Sequence, residues 1–271
     1  MMTQQKDMSF LSHLEELRWH LVRGAVAIFI LAIGFFTFAE EVYNNFLLAH
    51  IQPDFITYRL FCDFFTFFGF DSDFCAINFA DKKLQSIKVT SQLMNSLWTS
   101  FILGIIVAFP YILWEFWRFI SPGLHKNERR QSRGFISIAS LLFFLGVAFS
   151  FYVIAPISIN FLYNYQITDA IQNNFTLESH IGLVTNMILG VSMLFELPVI
   201  IYFLAKIGIV TPAFLKKYRK HALVFVLIIA AIITPPDVAS QIIVSIPVLI
   251  LYEISIKVAA IVIKRQQKNA K

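Results

Sequence analysis

Apolar residues in this chain gather into long runs separated by short polar stretches, and the runs set the elements. Leu21 to Ala39, Leu93 to Trp114, Phe135 to Pro156 and Ile181 to Ala205 each approach or exceed the roughly 20 residues that an α-helix needs to cross a bilayer core. Two shorter runs follow, His221 to Thr234 and Ile242 to Ile254. At 1.5 Å per residue these reach only about 20 Å, so a thinned bilayer or a covering partner is needed for them to span. The pattern predicts an all-α polytopic membrane protein with six transmembrane helices, the last two short. Ahead of the first run, residues 8–20 carry an apolar stripe at helical spacing, Phe10, Leu14, Leu17 and Leu21, with His13, Glu16 and His20 on another face. This amphipathic helix is expected to lie in the membrane interface before turning into the first span. Ser12 with Glu15 fits a capping box, and Ser9 is an equal candidate for its start.

Composition agrees. The chain of 271 residues is 58% hydrophobic and only 14% charged, against roughly 45 to 50% and 25% in soluble domains. A membrane protein is the class that this balance selects.

Charge gives the orientation, because Lys and Arg are retained on the cytoplasmic side. Lys6, Arg18 and Arg23 precede or begin the first run, and Arg118, Lys126, Arg129, Arg130 and Arg133 follow the second. Lys206, Lys216, Lys217, Arg219 and Lys220 separate the fourth from the fifth, and Lys257, Lys264, Arg265, Lys268 and Lys271 close the chain. The loops after the third and fifth runs carry none. Both termini are therefore expected in the cytoplasm, and the net charge of +5 reflects topology rather than a nucleic-acid partner. The first run is long and lacks a small-x-small exit, so no cleavable signal peptide is expected.

Residues 40–90 form the one long outer loop, with room for an external cap. It holds both cysteines, Cys62 and Cys75, on the side where a disulfide persists; a bond between them and a pair of buried thiols are both open readings. With no His nearby they make a poor metal site, and neither a metal nor another cofactor is expected.

One carboxylate, Glu196, interrupts the apolar "SMLFELPVIIYFL". A charge at bilayer depth costs at least about 2.5 to 3.5 kcal/mol by insertion scales, which marks such a residue as functional. Its open roles are contact with a partner or substrate, an internal hydrogen bond, or a proton relay. Pro110, Pro156, Pro198 and Pro247 each remove a backbone donor in or at the end of a run. Bent helices of this kind suggest a concave, cupped wall with Glu196 facing the hollow.

Four motifs then fall in register: "HLEELR" before the first run, "FISPGLHKNERR" after the second, "FELPV" inside the fourth and "TPPDVASQ" between the fifth and sixth. In order and spacing they resemble TatC, the signal-recognising subunit of the twin-arginine translocase, over nearly the whole chain, with Ile51 to Phe79 looking like an insertion. The resemblance implies an inner-membrane receptor and scaffold. It would bind Arg-Arg signal peptides of folded proteins and dock TatA-type and TatB-type single-span partners for export driven by the proton-motive force. It also implies a homo-oligomer within the complex. Glu16, Arg18, Glu128 and Phe119 match the signal-peptide site, Glu196 matches the intramembrane acid, and Thr234 and Gln241 match a polar docking edge. The chemistry is consistent, since a guanidinium fork binds carboxylates in a bidentate way that lysine does not. The chain departs from the family in having Trp19 and His20 where a basic pair is usual, and His20 would make the site pH-sensitive.

Two other classes compete. A secondary transporter would use Glu196 as its ion or proton site, but Glu196 is the one clear mid-membrane ionisable residue and midplane glycine breaks are missing. A membrane hydrolase would need G-x-S-x-G or H-E-x-x-H, and neither occurs. The chain is not expected to be an enzyme.

Overall fold

The computed structural model describes residues 10–69, 84–120, 132–168, 170, 173–234 and 238–269. Its helices are α1 Phe10–Thr37, α2 Ala39–Val42, α3 Ile56–Phe67, α4 Ser91–Ile120, α5 Ser132–Phe149, α6 Ala155–Asn164, α7 Leu177–Phe195, α8 Leu197–Lys206, α9 Pro212–Lys217, α10 Arg219–Ile233 and α11 Val238–Asn269. Among the described residues the only extended pairing is one parallel bridge between Gln85 and Thr176. Five stretches of the described residues are long and apolar enough to cross a membrane: Leu14–Thr37, Ser91–Ile120, Ile136–Asn164, Leu177–Lys206 and Ser240–Gln266. The remaining run lies in α10, whose 15 residues reach about 22 Å.

Three boundaries differ from the sequence reading. No break separates residues 8–20 from the first span where both are described, because α1 is one helix of 28 residues. Ser12 therefore lies inside the helix rather than at its cap. The sixth run is not short: α11 carries it from Val238 to Asn269. Glu253 and Lys257 stand four residues apart on one exposed face, so the helix continues past the run without burying a charge.

The chain divides into two compact units. The first holds Met1–Ala39 and Ser96–Ser140. Here α1 and α4 meet at Gly104, where a Cβ would stand 2.9 Å from the Ile28 carbonyl oxygen and 3.2 Å from the Ala32 nitrogen. Only glycine permits that approach, as is common between membrane helices. Val26, Phe29, Ile30 and Ile33 of α1 remain exposed, as expected of a surface that lipid covers.

The second unit holds Glu40–Asn95 and Leu141–Lys271. Gly146 on α5 lies against the Ser192 backbone of α7, and Gly190 on α7 lies against the Ile233 side chain of α10. Ile201, Ala205, Val210, Leu215, Tyr252, Ile256 and Ala259 form a core that joins α8, α9 and α11. Between α5 and α6, residues Ser150–Ile154 widen into a π turn, with Pro156 just beyond. The Ala155 N–H reaches back to the Ser150 carbonyl, and Pro156 has no N–H to continue the ladder. The carbonyls thus released are taken by residues 40–90: His50 Nε2 donates to Phe151 O at 2.8 Å, and the Thr57 hydroxyl donates to Tyr152 O. Tyr58 then donates to His50 O at 2.8 Å. The described residues 43–58 are in this way fastened to the third span at Phe151 and Tyr152. Cys62 on α3 is disulfide-bonded; its expected partner, Cys75, lies outside the described residues.

Candidate functional site

In the first unit, α1 presents Glu16, His20 and Arg23 at intervals of four and three, one helical stripe. The last turns of α4 present Tyr111, Glu115, Arg118 and Phe119. The buried carboxylate of Glu115 joins the two helices. His20 Nδ1 hydrogen-bonds its Oε2, the Tyr111 hydroxyl donates to Oε1 at 3.0 Å, and the guanidinium groups of Arg118 and Arg23 stand 3.6 and 3.8 Å away. Arg118 also covers the Trp114 ring at 4.8 Å, a cation–π contact. The Phe119 ring meets the His20 ring edge-on at 6.2 Å.

Glu16 sits one turn before His20 on the same stripe. It is half-buried, and its Oε2 has no hydrogen-bond partner among the described residues. A buried acceptor without a donor carries a desolvation cost of about 1 to 3 kcal/mol, more when charged, so the position favours an incoming cation or donor. The structure thus brings Phe119 to the stripe that carries Glu16. Arg18 is exposed and lies about 200° around the helix from Glu16. Glu128 lies outside the described residues.

Sequence reasoning missed Glu115, and with it the way that Tyr111, Arg118 and Arg23 gather. The signal was there in "YILWEFWR": a Tyr four residues before an acid and an Arg three after it are helix neighbours.

The second unit holds Glu196. The helical path breaks at this residue, which ends α7 and precedes α8, with Pro198 in the first turn of α8. Its backbone still serves the ladder, since its carbonyl accepts from Val199 and Ile200. The carboxylate is buried at 6% exposure, and its Oε1 has no hydrogen-bond partner among the described residues. Gly190, six residues earlier, touches Ile233, the neighbour of Thr234. Thr234 is buried, and its hydroxyl donates to Ala230 O at 2.8 Å within its own helix. The Gln241 amide donates to Leu227 O at 3.0 Å, tying α11 to α10. These two side chains are engaged inside the unit, whereas Glu196 keeps a free acceptor.

Comparison with known proteins points one way. A family profile described as Sec-independent protein translocase protein (TatC) matches residues 12–247. The Sec-independent protein translocase protein TatC of Blattabacterium sp. subsp. Periplaneta americana (strain BPLAN) is 38% identical over 266 residues, which cover 98% of this chain and 100% of that protein. The protein TatCy of Bacillus subtilis (strain 168) is 31% identical over 271 residues, covering 99% and 96%. A crystal structure of the twin arginine translocase receptor TatC superposes with a TM-score of 0.70 at 31% identity, covering 92% of this chain and 99% of that one.

Proposed function

The chain belongs to the TatC family of Sec-independent protein translocase proteins, and from that membership we propose that it binds the Arg-Arg signal peptides of folded export substrates on the stripe carrying Glu16. It is a multi-pass membrane protein and a subunit of a protein translocase, a non-enzymatic transport family. The observation that carries the reading is the contrast between two acids. Donors from His20 and Tyr111, and two guanidinium groups, converge on Glu115, while Glu16 Oε2 is buried without a partner among the described residues. An arriving guanidinium fork supplies what Glu16 lacks, in charge and in planar geometry.

Glu128 is the second acid of the proposed site, and Phe119 supplies an aromatic face for an arginine to stack on. Arg18, on another side of α1, contacts a different part of the substrate. The basic loops set the sidedness, with both termini in the cytoplasm. Glu196 is the proposed docking point for a polar side chain on a single-span TatA-type or TatB-type partner, because its buried acceptor lies in a broken helix. Thr234, at the end of α10, and Gln241, in the first turns of α11, form the adjoining edge. Several copies work together, driven by the proton-motive force.

The test is a photoreactive benzoylphenylalanine at position 119 in membranes carrying the whole translocase. A precursor with an Arg-Arg signal should crosslink there, and its Lys-Lys version should not. Equal crosslinking of both, or none of either beside a productive crosslink elsewhere on the chain, would remove the site from this stripe.

A further inference from the structure

The cap helix α3 divides its surface into three sectors. At 100° per residue, Thr57, Tyr58, Phe61, Cys62 and Phe65 fall on one side, and these are its buried and half-buried positions. Arg59, Asp63 and Thr66 form an exposed polar sector, and Ile56, Leu60, Phe64 and Phe67 form an exposed apolar one. The apolar sector is not incidental: it is continuous with the buried side, and Phe67 at its end is 84% exposed. Alongside it runs a groove of about 640 Å³, walled by Ile56, Leu60, Phe61 and Phe64 of α3 and by Tyr152 and Val153 of the third span.

We infer that α3 lies along the membrane interface and that this groove seats a phospholipid acyl chain against Tyr152 and Val153 of the third span. Three observations select lipid over a protein occupant. Tyr152 and Val153 belong to a segment long and apolar enough to cross the bilayer, and Tyr152 is exposed, so one wall of the groove continues the surface that lipid would cover. A partner's membrane helix packs closely through small residues, and this sector offers only Ile, Leu and Phe. The Arg59 guanidinium is held by Asp54 at 2.7 Å within the cap, so that charge is already engaged and does little to fix the register of a second chain. An acyl chain needs only apolar volume, and flexible methylenes fill the spaces between bulky rings.

The polar sector lies on the opposite flank of the apolar sector from the buried side, as in helices that rest in an interface. The hydrogen bonds from His50 and Thr57 to the Phe151 and Tyr152 carbonyls fix the depth of α3 relative to the span. Lipid seated there is therefore held by a rigid wall rather than by a loose loop.

The experiment places benzoylphenylalanine singly at Phe64, Phe67, Asp63 and Phe29 in the full chain, reconstituted in nanodiscs of dioleoylphosphatidylcholine. Phe29 is an exposed position of α1 within a span and calibrates lipid labelling. After irradiation, intact-mass spectrometry should show the mass of one phospholipid added at positions 64 and 67, at a yield within about threefold of position 29 and at least fivefold above position 63. Labelling at 64 and 67 no greater than at 63, or a covalent dimer of the chain in place of the lipid adduct, would overturn the inference. The replaced side chains are exposed, so the fold is retained in each variant.

Discussion

His50 donates its Nε2 hydrogen to the carbonyl of Phe151, 101 residues away, and that carbonyl is open because Pro156 cannot reach back to it. The bond fixes the tautomer. Nδ1 is then the bare nitrogen, and it is buried with no hydrogen-bond partner among the described residues. Burial, with a smaller push from the nearby His180, lowers the His50 pKa from 6.5 to about 4, against the opposing pull of the Phe151 bond.

Acid should therefore loosen the cap. Above pH 6.5 His50 is neutral whether folded or unfolded, so its contribution is fully present. Between 6.5 and 4 the unfolded chain binds a proton that the folded chain refuses, and stability falls with falling pH before levelling off below 4. The loss is about 3 kcal/mol at most, at 1.36 kcal/mol per unit. Hydrogen exchange of residues 43–58 measured at pH 7.5 and 5 should show faster exchange in acid, and His50→Gln should reduce that difference. An exchange rate corrected for intrinsic pH dependence that is equal at both values would contradict it.

The Glu115 cluster should behave as a unit. Removing a carboxylate on which His20, Tyr111 and two arginines converge leaves donors unmet, so Glu115→Ala should cost about 2 to 3 kcal/mol. That is below the figure for a fully buried pair because both arginines are half-exposed. A double-mutant cycle of His20→Ala and Glu115→Ala, read by thermal unfolding in detergent, should give a coupling of about 1 kcal/mol or more. Simple additivity would break the pair.

Two glycines are expected to respond differently to rescue. Ala at Gly190 meets the Ile233 side chain first, its Cβ 2.4 Å from Ile233 Cγ2, so Gly190→Ala should lose about 1 to 2 kcal/mol and Ile233→Ala should recover part of that. Ala at Gly104 meets the Ile28 carbonyl, which no side-chain change removes, so Gly104→Ala should resist rescue by Ile28→Ala. Recovery at both sites, or at neither, would contradict the packing.

The partner that we propose for the bonded Cys62 is Cys75, the chain's one other cysteine. Peptide mapping without reductant should find the two joined within a monomer, and Cys75→Ser should lower stability by about 3 kcal/mol, as expected for a short closed loop. An intermolecular Cys62 dimer would rule the pairing out.

What could be read from the sequence follows from range. The six runs were legible because twenty consecutive apolar residues have one stable solution in a bilayer, and Glu196 was legible as the exception among them. The fastening of the cap was not: nothing in "AHIQPDFIT" tells that its His and Thr meet carbonyls about a hundred residues on. Glu115 was hidden for the opposite reason. It stands just past an apolar run, beside three aromatic residues, and its neighbours on α1 turn it into a junction. Glu16 and Phe119 came from the family resemblance, and their setting came from the packing of α1 on α4.

Glu16 and Glu128 are the residues that we propose read the arginine pair. The direct measurement is binding of a fluorescent signal peptide to the purified chain in detergent, Arg-Arg against Lys-Lys, with wild type, Glu16→Gln and Glu128→Gln. Wild type should prefer Arg-Arg by about tenfold, a difference of about 1.4 kcal/mol, and either substitution should abolish the preference. Equal binding of both peptides to wild type, or a preference that survives both substitutions, would contradict it.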